Sequence, residues 1–181
     1  MIPFFKHSLI KNKNYIKKTL ASSYLTSGPV CEKAERLLKI KFKKKYAILT
    51  NSWTNGLITI LLSLNLKPDD EVIIPACTFV ACANVIEMVG AKVVFADIDP
   101  STKLMDINDC IKKITKKTKV IMPVHLYGNL FQTKNLKKKI RKNIMIIEDS
   151  AHAFCGEYHN NIIGKYSDFL VFSFYATKSI T

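Results

Sequence analysis

Two residues stand where a charge needs a reason. Lys178 follows an apolar, aromatic-rich run, Phe169–Tyr175, and a short polar step. A lysine just past a buried strand can be a carbonyl-reactive amine, because desolvation lowers its pKa and frees the lone pair. The plainer reading is a surface charge, the usual fate of lysine in a basic chain. Asp149 closes a second apolar run, Asn143-Ile-Met-Ile-Ile-Glu, and small residues and His152 follow it. A buried carboxylate there needs a partner. A protonated ring nitrogen, an arginine or a helix cap would each serve.

The elements that must carry these residues alternate regularly. Met1–Thr26 reads as an arm or short helix leading into the turn Ser27-Gly28-Pro29, and Cys31–Phe42 has apolar residues at helical spacing. Tyr46–Thr50 reads as a short strand and Leu57–Leu66 as a buried helix. Strands are expected at Glu71–Pro75, Lys92–Ala96, Val120–His125 and Ile144–Glu148, with helices at Val80–Val89, Ile107–Ile114 and Gln132–Ile140. Continuous Val/Ile/Leu strands mark a parallel sheet covered on both faces. The expected class is therefore α/β: a mostly parallel, doubly wound sheet with helices on both faces.

Composition excludes more than it selects. In 181 residues, 48% hydrophobic, there is enough apolar material for a sizeable core. The net charge of +14 suggests a nucleic-acid partner, but the lysines lie on helix faces and turns without interleaved aromatics, so none is expected. The five cysteines show no CxxC or metal spacing and read as buried small residues of a reducing compartment. No metal is expected. No apolar run nears the roughly 20 residues of a membrane span, and no secretory pattern opens the chain. The expectation is a cytoplasmic protein.

In an open parallel sheet, ligands bind beyond the carboxyl ends of the strands. Asn51-Ser52-Trp53-Thr54 joins a strand to a helix, and its N–H groups and hydroxyls can hold a phosphate; Ser52 or Thr54 as a plain N-cap explains the same residues. Phe79 follows the Glu71–Pro75 strand and is either a stacking surface for a planar cofactor or a core aromatic. A strand-end Asp, a strand-end Lys and a phosphate-type turn together suit pyridoxal phosphate: lysine as Schiff base, Asp against the pyridinium, helix N-terminus on the phosphate.

The ordered motifs Thr26-Ser-Gly-Pro29, Asn51-Ser-Trp-Thr54, Asp70-Glu-Val-Ile-Ile-Pro75, Thr78-Phe79, Gly90–Asp97, Pro123–Gly128, Glu148-Asp-Ser-Ala-His152 and Phe172–Lys178 carry a resemblance. From Ser27 to Thr181 the chain resembles the DegT/DnrJ/EryC1/StrS sugar aminotransferases, of aspartate-aminotransferase-like (type I) fold. The resemblance implies Lys178 as Schiff-base lysine and proton carrier, and Asp149 on the pyridine nitrogen. It places His152 against the ring face or phenolic oxygen and Phe79 stacked on the ring. Ser52, Trp53, Thr54 and Ser173 would surround the phosphate, and Ser27 and Gly28 the sugar. It implies an amino donor, usually glutamate, a nucleotide-linked keto-sugar as acceptor, and a homodimer serving surface polysaccharide or related glycan synthesis.

Two departures qualify it. Trp53 and Asn55-Gly56 stand where many relatives carry Gly and Ala. The chain also stops three residues past Lys178, before the Gly-rich segment of relatives. Residues 1–26 are then an arm and 27–181 an incomplete cofactor-binding domain, with the small C-terminal domain absent. Alternatives are an inactive, aggregation-prone fragment and a sugar 3-dehydrase of the same family, in which His replaces the lysine.

Overall fold

The computed structural model describes residues 13–158 and 161–178. It divides at Leu49/Thr50 into two units. In the first, α1 spans Lys13–Leu20 and α2 spans Pro29–Lys41. Proline at the first helical position loses no hydrogen bond, since that N–H has no partner within a helix. Glu32 in the first turn and Lys39 and Lys41 in the last complement the helix dipole. The first 12 residues of the expected arm lie outside the described residues.

Tyr46–Thr50 is not a strand, contrary to expectation. The segment is extended, but a strand is defined by its ladder, and these residues have no paired neighbour among the described residues. The Leu49 N–H goes instead to Glu35 Oε1, 2.8 Å away. Tyr46 and Ile48 are exposed.

The second unit is the α/β layer. Its elements are α3 (Trp53–Ser63), β1 (Glu71–Pro75), α4 (Ala81–Met88), β2 (Lys92–Ala96), α5 (Ile107–Lys112), β3 (Thr118–Ile121), α6 (Thr133–Lys139), β4 (Met145–Asp149), β5 (Glu157–Tyr158), β6 (Asn161–Ile162) and β7 (Phe169–Val171). Five strands form one all-parallel sheet in the order β2-β1-β3-β4-β7. The doubly wound expectation holds. Chain order reverses at β1, where β2 lies to one side and β3 to the other, and such a reversal opens a crevice at the carboxyl edge. The β5–β6 hairpin is antiparallel and was not foreseen.

All five residues of β1 are buried, and the core gathers around it from Leu57, Leu61, Val85, Ile86, Ile121, Leu136 and Ile146. The strand expected over Val120–His125 instead ends at Ile121. Pro123 has no N–H to give a ladder, and only a bridge between Val124 and Asp149 continues the pairing.

At the β2 edge, Lys92 N–H and Ala96 C=O face β1, so Val93, Phe95 and Asp97 turn their backbone outward. Side chains meet those groups. Glu87 Oε1 accepts from Val93 N–H (3.4 Å), Lys113 Nζ donates to Phe95 C=O (2.8 Å), and Asp109 Oδ2 accepts from Asp97 N–H (2.7 Å). All five cysteines are free, but only Cys82 and Cys110 are buried and Cys77 is exposed, which corrects the uniform reading. Among the described residues no helix is long and apolar enough to cross a membrane.

Candidate active site

Asp149 is the last residue of β4 and is almost wholly buried. Its Oδ1 accepts from two N–H donors, Trp53 Nε1 and the Ala151 backbone, each at 3.0 Å. Among the described residues its Oδ2 has only the Cys82 thiol, at 3.5 Å. Burial pushes the Asp149 carboxyl above its ordinary value, and the bonds from Ala151, Cys82 and Trp53 work against that rise. The Cys82 thiol is itself pushed up to about 12, by burial first and then by the Asp149 charge. It is therefore a neutral, weak donor. A buried carboxylate with one oxygen doubly held and the other barely engaged suits a cationic N–H donor.

His152 lies in the turn after β4. Its Nδ1 accepts from the Tyr127 N–H at 3.2 Å, which leaves the ring proton on Nε2. The two rings stack at 5.7 Å, within 10° of parallel. Tyr127 reaches this position with φ of 52°, in the left-handed region. Burial, and then the Lys178 charge, lower the His152 pKa, while Asp149 raises it. Lys178, His152 and Asp149 thus share one electrostatic neighbourhood. At pH 7 the imidazole is neutral and offers a donor at Nε2.

At the start of α3 the Ser52 hydroxyl accepts from Asn55 N–H at 3.1 Å. Ser52 is the N-cap, as the plainer reading had it, and its own hydroxyl proton remains to give. The backbone N–H groups of Trp53 and Thr54 head this 11-residue helix, where they have no partner inside the helix. The space at Gly56 is tightest toward the loop before the helix: a Cβ there would lie 3.2 Å from Thr50 Oγ1, and at ordinary contact distance, 3.5 Å, from Val171 Cγ1 of β7. Two residues beyond Val171, Ser173 Oγ accepts from Tyr175 N–H at 3.3 Å. Phe79 is 67% exposed, so it is not a core aromatic and its ring is open to a ligand. Ser27 and Gly28 belong to the first unit.

The site departs from the sequence reading in its connections. Trp53 was expected to contribute its backbone to an anion; its side chain spans to Asp149. Cys82 and Tyr127 were not singled out at all. The one tryptophan of the chain, at a strand-to-helix turn, was the available signal for the first, since an indole N–H near a buried site seeks an acceptor.

Residues 9–181 match the DegT/DnrJ/EryC1/StrS aminotransferase family. The chain belongs to this family. Against the GDP-perosamine synthase of Escherichia coli O157:H7 it is 36% identical over 99% of its length and 50% of the synthase. Spr1654 of Streptococcus pneumoniae, described as a sugar aminotransferase and solved in a PLP form, matches with TM-score 0.91. The identity is 35%, over 99% of this chain and 50% of Spr1654. ColD, a GDP-4-keto-6-deoxymannose-3-dehydratase of the same fold, matches at TM-score 0.92 and 25% identity, over 99% and 48% of the two chains. The chain spans about half the length of the curated relatives it matches.

Proposed function

We propose that this chain is the cofactor-binding part of a pyridoxal-phosphate-dependent aminotransferase acting on a nucleotide-linked keto-sugar. One observation carries the reading: a buried strand-end carboxylate with one oxygen left for a cation, sharing its electrostatic surroundings with Lys178 and His152. Family membership supports it, as do relatives named for sugar amination and a PLP form. On this reading residues 27–181 form the large, cofactor-binding domain and 1–26 lead into it.

When bound, pyridoxal phosphate supplies an electron sink that stabilises negative charge at the carbon losing its proton. The chain supplies the rest. Lys178 would present the amine that holds the cofactor carbonyl, and its Nζ would take and return the proton. Asp149 Oδ2 would take the ring N–H and keep it charged. His152 would donate from Nε2 toward an oxygen at the ring edge, Phe79 would give an apolar face, and Ser52, Trp53 N–H, Thr54 and Ser173 would receive the phosphate. Ser27 and Gly28 serve the sugar. An amine at position 178 favours amino transfer over the dehydration for which ColD is named.

The same reading assigns glutamate as donor, a role in surface polysaccharide or related glycan synthesis, a cytoplasmic location and a homodimer. The test is absorbance of the purified protein with pyridoxal phosphate, before and after borohydride, beside Lys178→Ala. A visible band, reduced onto Lys178 and missing from the variant, supports the reading. A folded protein that forms no such band overturns it.

A further inference from the structure

We infer that Trp53 is a positioning residue, whose indole fixes Asp149 so that Oδ2 alone is presented to a ring nitrogen. The inference rests on the proposed function and goes beyond it, because it gives a task to a side chain that the phosphate role does not need.

An Asp carboxylate rotates about χ2 in a broad, roughly two-fold well, so burial alone does not fix the plane in which its two oxygens lie. Here the plane is set by donors. Trp53 Nε1–H and Ala151 N–H converge on Oδ1 at 3.0 Å each, from two different elements, the first turn of α3 and the turn after β4. The contact on Oδ2 is of another kind. Cys82 Sγ lies 3.5 Å away and is shared with the Thr78 hydroxyl at 3.2 Å, and a thiol is a weak donor that yields to a charged one. Twisting the carboxylate out of this plane would lengthen both bonds and strand two buried N–H donors, which is costly, whereas a half-turn only exchanges two equivalent oxygens. One residue therefore connects both ends of the site. The Trp53 backbone N–H heads the helix that suits an anion, and its side chain orients the group that suits a cation.

The competing account is that Trp53 is bulk only, since its ring also packs against the core. The experiment separates the two. The chain has a single tryptophan, so an indole-15N-labelled sample gives one side-chain N–H resonance. In the protein without cofactor, that resonance is expected to move when Asp149→Asn removes the charge. Trp53→Phe keeps an aromatic ring but loses the N–H. It is expected to weaken pyridoxal-phosphate binding about tenfold or more, the worth of one hydrogen bond to a charged group, while borohydride still traps the cofactor on Lys178.

An indole resonance indifferent to Asp149→Asn, or a Trp53→Phe protein with parental affinity, overturns the inference. If the parent itself forms no trapped band, the proposed function fails. The indole resonance still decides whether Trp53 holds Asp149.

Discussion

His125 and Glu148 form a hydrogen-bonded pair, Nε2 to Oε2 at 3.1 Å, with both side chains almost completely buried. His125 Nδ1 accepts from Phe131 N–H, so the proton toward Glu148 sits on Nε2. Glu148 also accepts from Gly164 N–H at 2.8 Å. Because side chains alternate along a strand, Glu148 points to the opposite face of β4 from Asp149. Two adjacent acids thus have separate work, one tying loops together and one facing the site.

Glu148→Ala is expected to cost about 2–5 kcal/mol, because it orphans two buried donors at once. His125→Phe should cost a comparable amount by leaving the acid short of a donor, and the double variant should cost less than the sum. Urea unfolding of the three proteins measures this. An additive double variant would show that the pair is not coupled.

Acid stability should follow the same group. Burial raises the Glu148 pKa, but the bond and charge of His125, with Thr133 and Gly164 after them, more than offset it and hold the carboxyl below its ordinary value. Its contribution is therefore present above the ordinary carboxylate range and lost as pH falls through the lowered folded value. Glu148→Gln is expected to flatten the acid side of the stability profile, read as Tm against pH.

Gly164 has φ of +84°, and a Cβ there would lie 2.6 Å from Leu170 Cδ2. Gly164→Ala should destabilise by about 2 kcal/mol or more, combining left-handed backbone strain with overpacking. Adding Leu170→Ala relieves only the clash. Denaturant midpoints of the single and double variants would show whether the backbone part remains.

His152 supplies a titration with a definite sign. Burial and the Lys178 charge depress its folded pKa below the ordinary 6.5. Its contribution to stability is full above that value and is lost as pH falls toward the folded one. Lys178→Ala removes one of the two depressing causes, so the His152 ring should titrate at higher pH in that variant. Proton NMR of the imidazole reads this directly, and an unmoved titration would contradict the shared surroundings of the two residues.

Asp149→Asn keeps an acceptor for Trp53 and Ala151 but removes the charge. Without cofactor the variant is expected to melt no lower than the parent, because a poorly compensated buried charge is gone. With cofactor it should still be trapped on Lys178, while amino transfer falls by about a hundredfold or more. Calorimetry and a transfer assay on the two proteins check both arms.

The layer was legible because its strands announce themselves. Glu71–Pro75 and Lys92–Ala96 are apolar runs between turn residues, and both fall where the sequence placed them. Tyr46–Thr50 has the same local signature but no paired partner, and pairing is a tertiary fact that no window of residues contains. The site divides in the same way. Asp149, His152 and Lys178 were visible as polar groups at strand ends. The bond from Trp53 to Asp149 spans 96 positions, and the stacking of Tyr127 on His152 depends on a backbone angle rather than a residue pattern. The β5–β6 hairpin is two residues per strand, too short for any periodicity to register.

The outer rim of β2 has a bearing on how the molecule behaves in company. An open strand edge is a template on which another extended segment can crystallise, the first step of fibre growth. On this edge Glu87, Lys113 and Asp109 already occupy the outward Val93, Phe95 and Asp97 groups. An incoming strand would have to displace two carboxylates and an ammonium to complete its ladder along this edge. Three side chains far along the chain from any proposed catalytic residue thus oppose edge-to-edge pairing, and neutralising them together is expected to make this border more receptive to another strand.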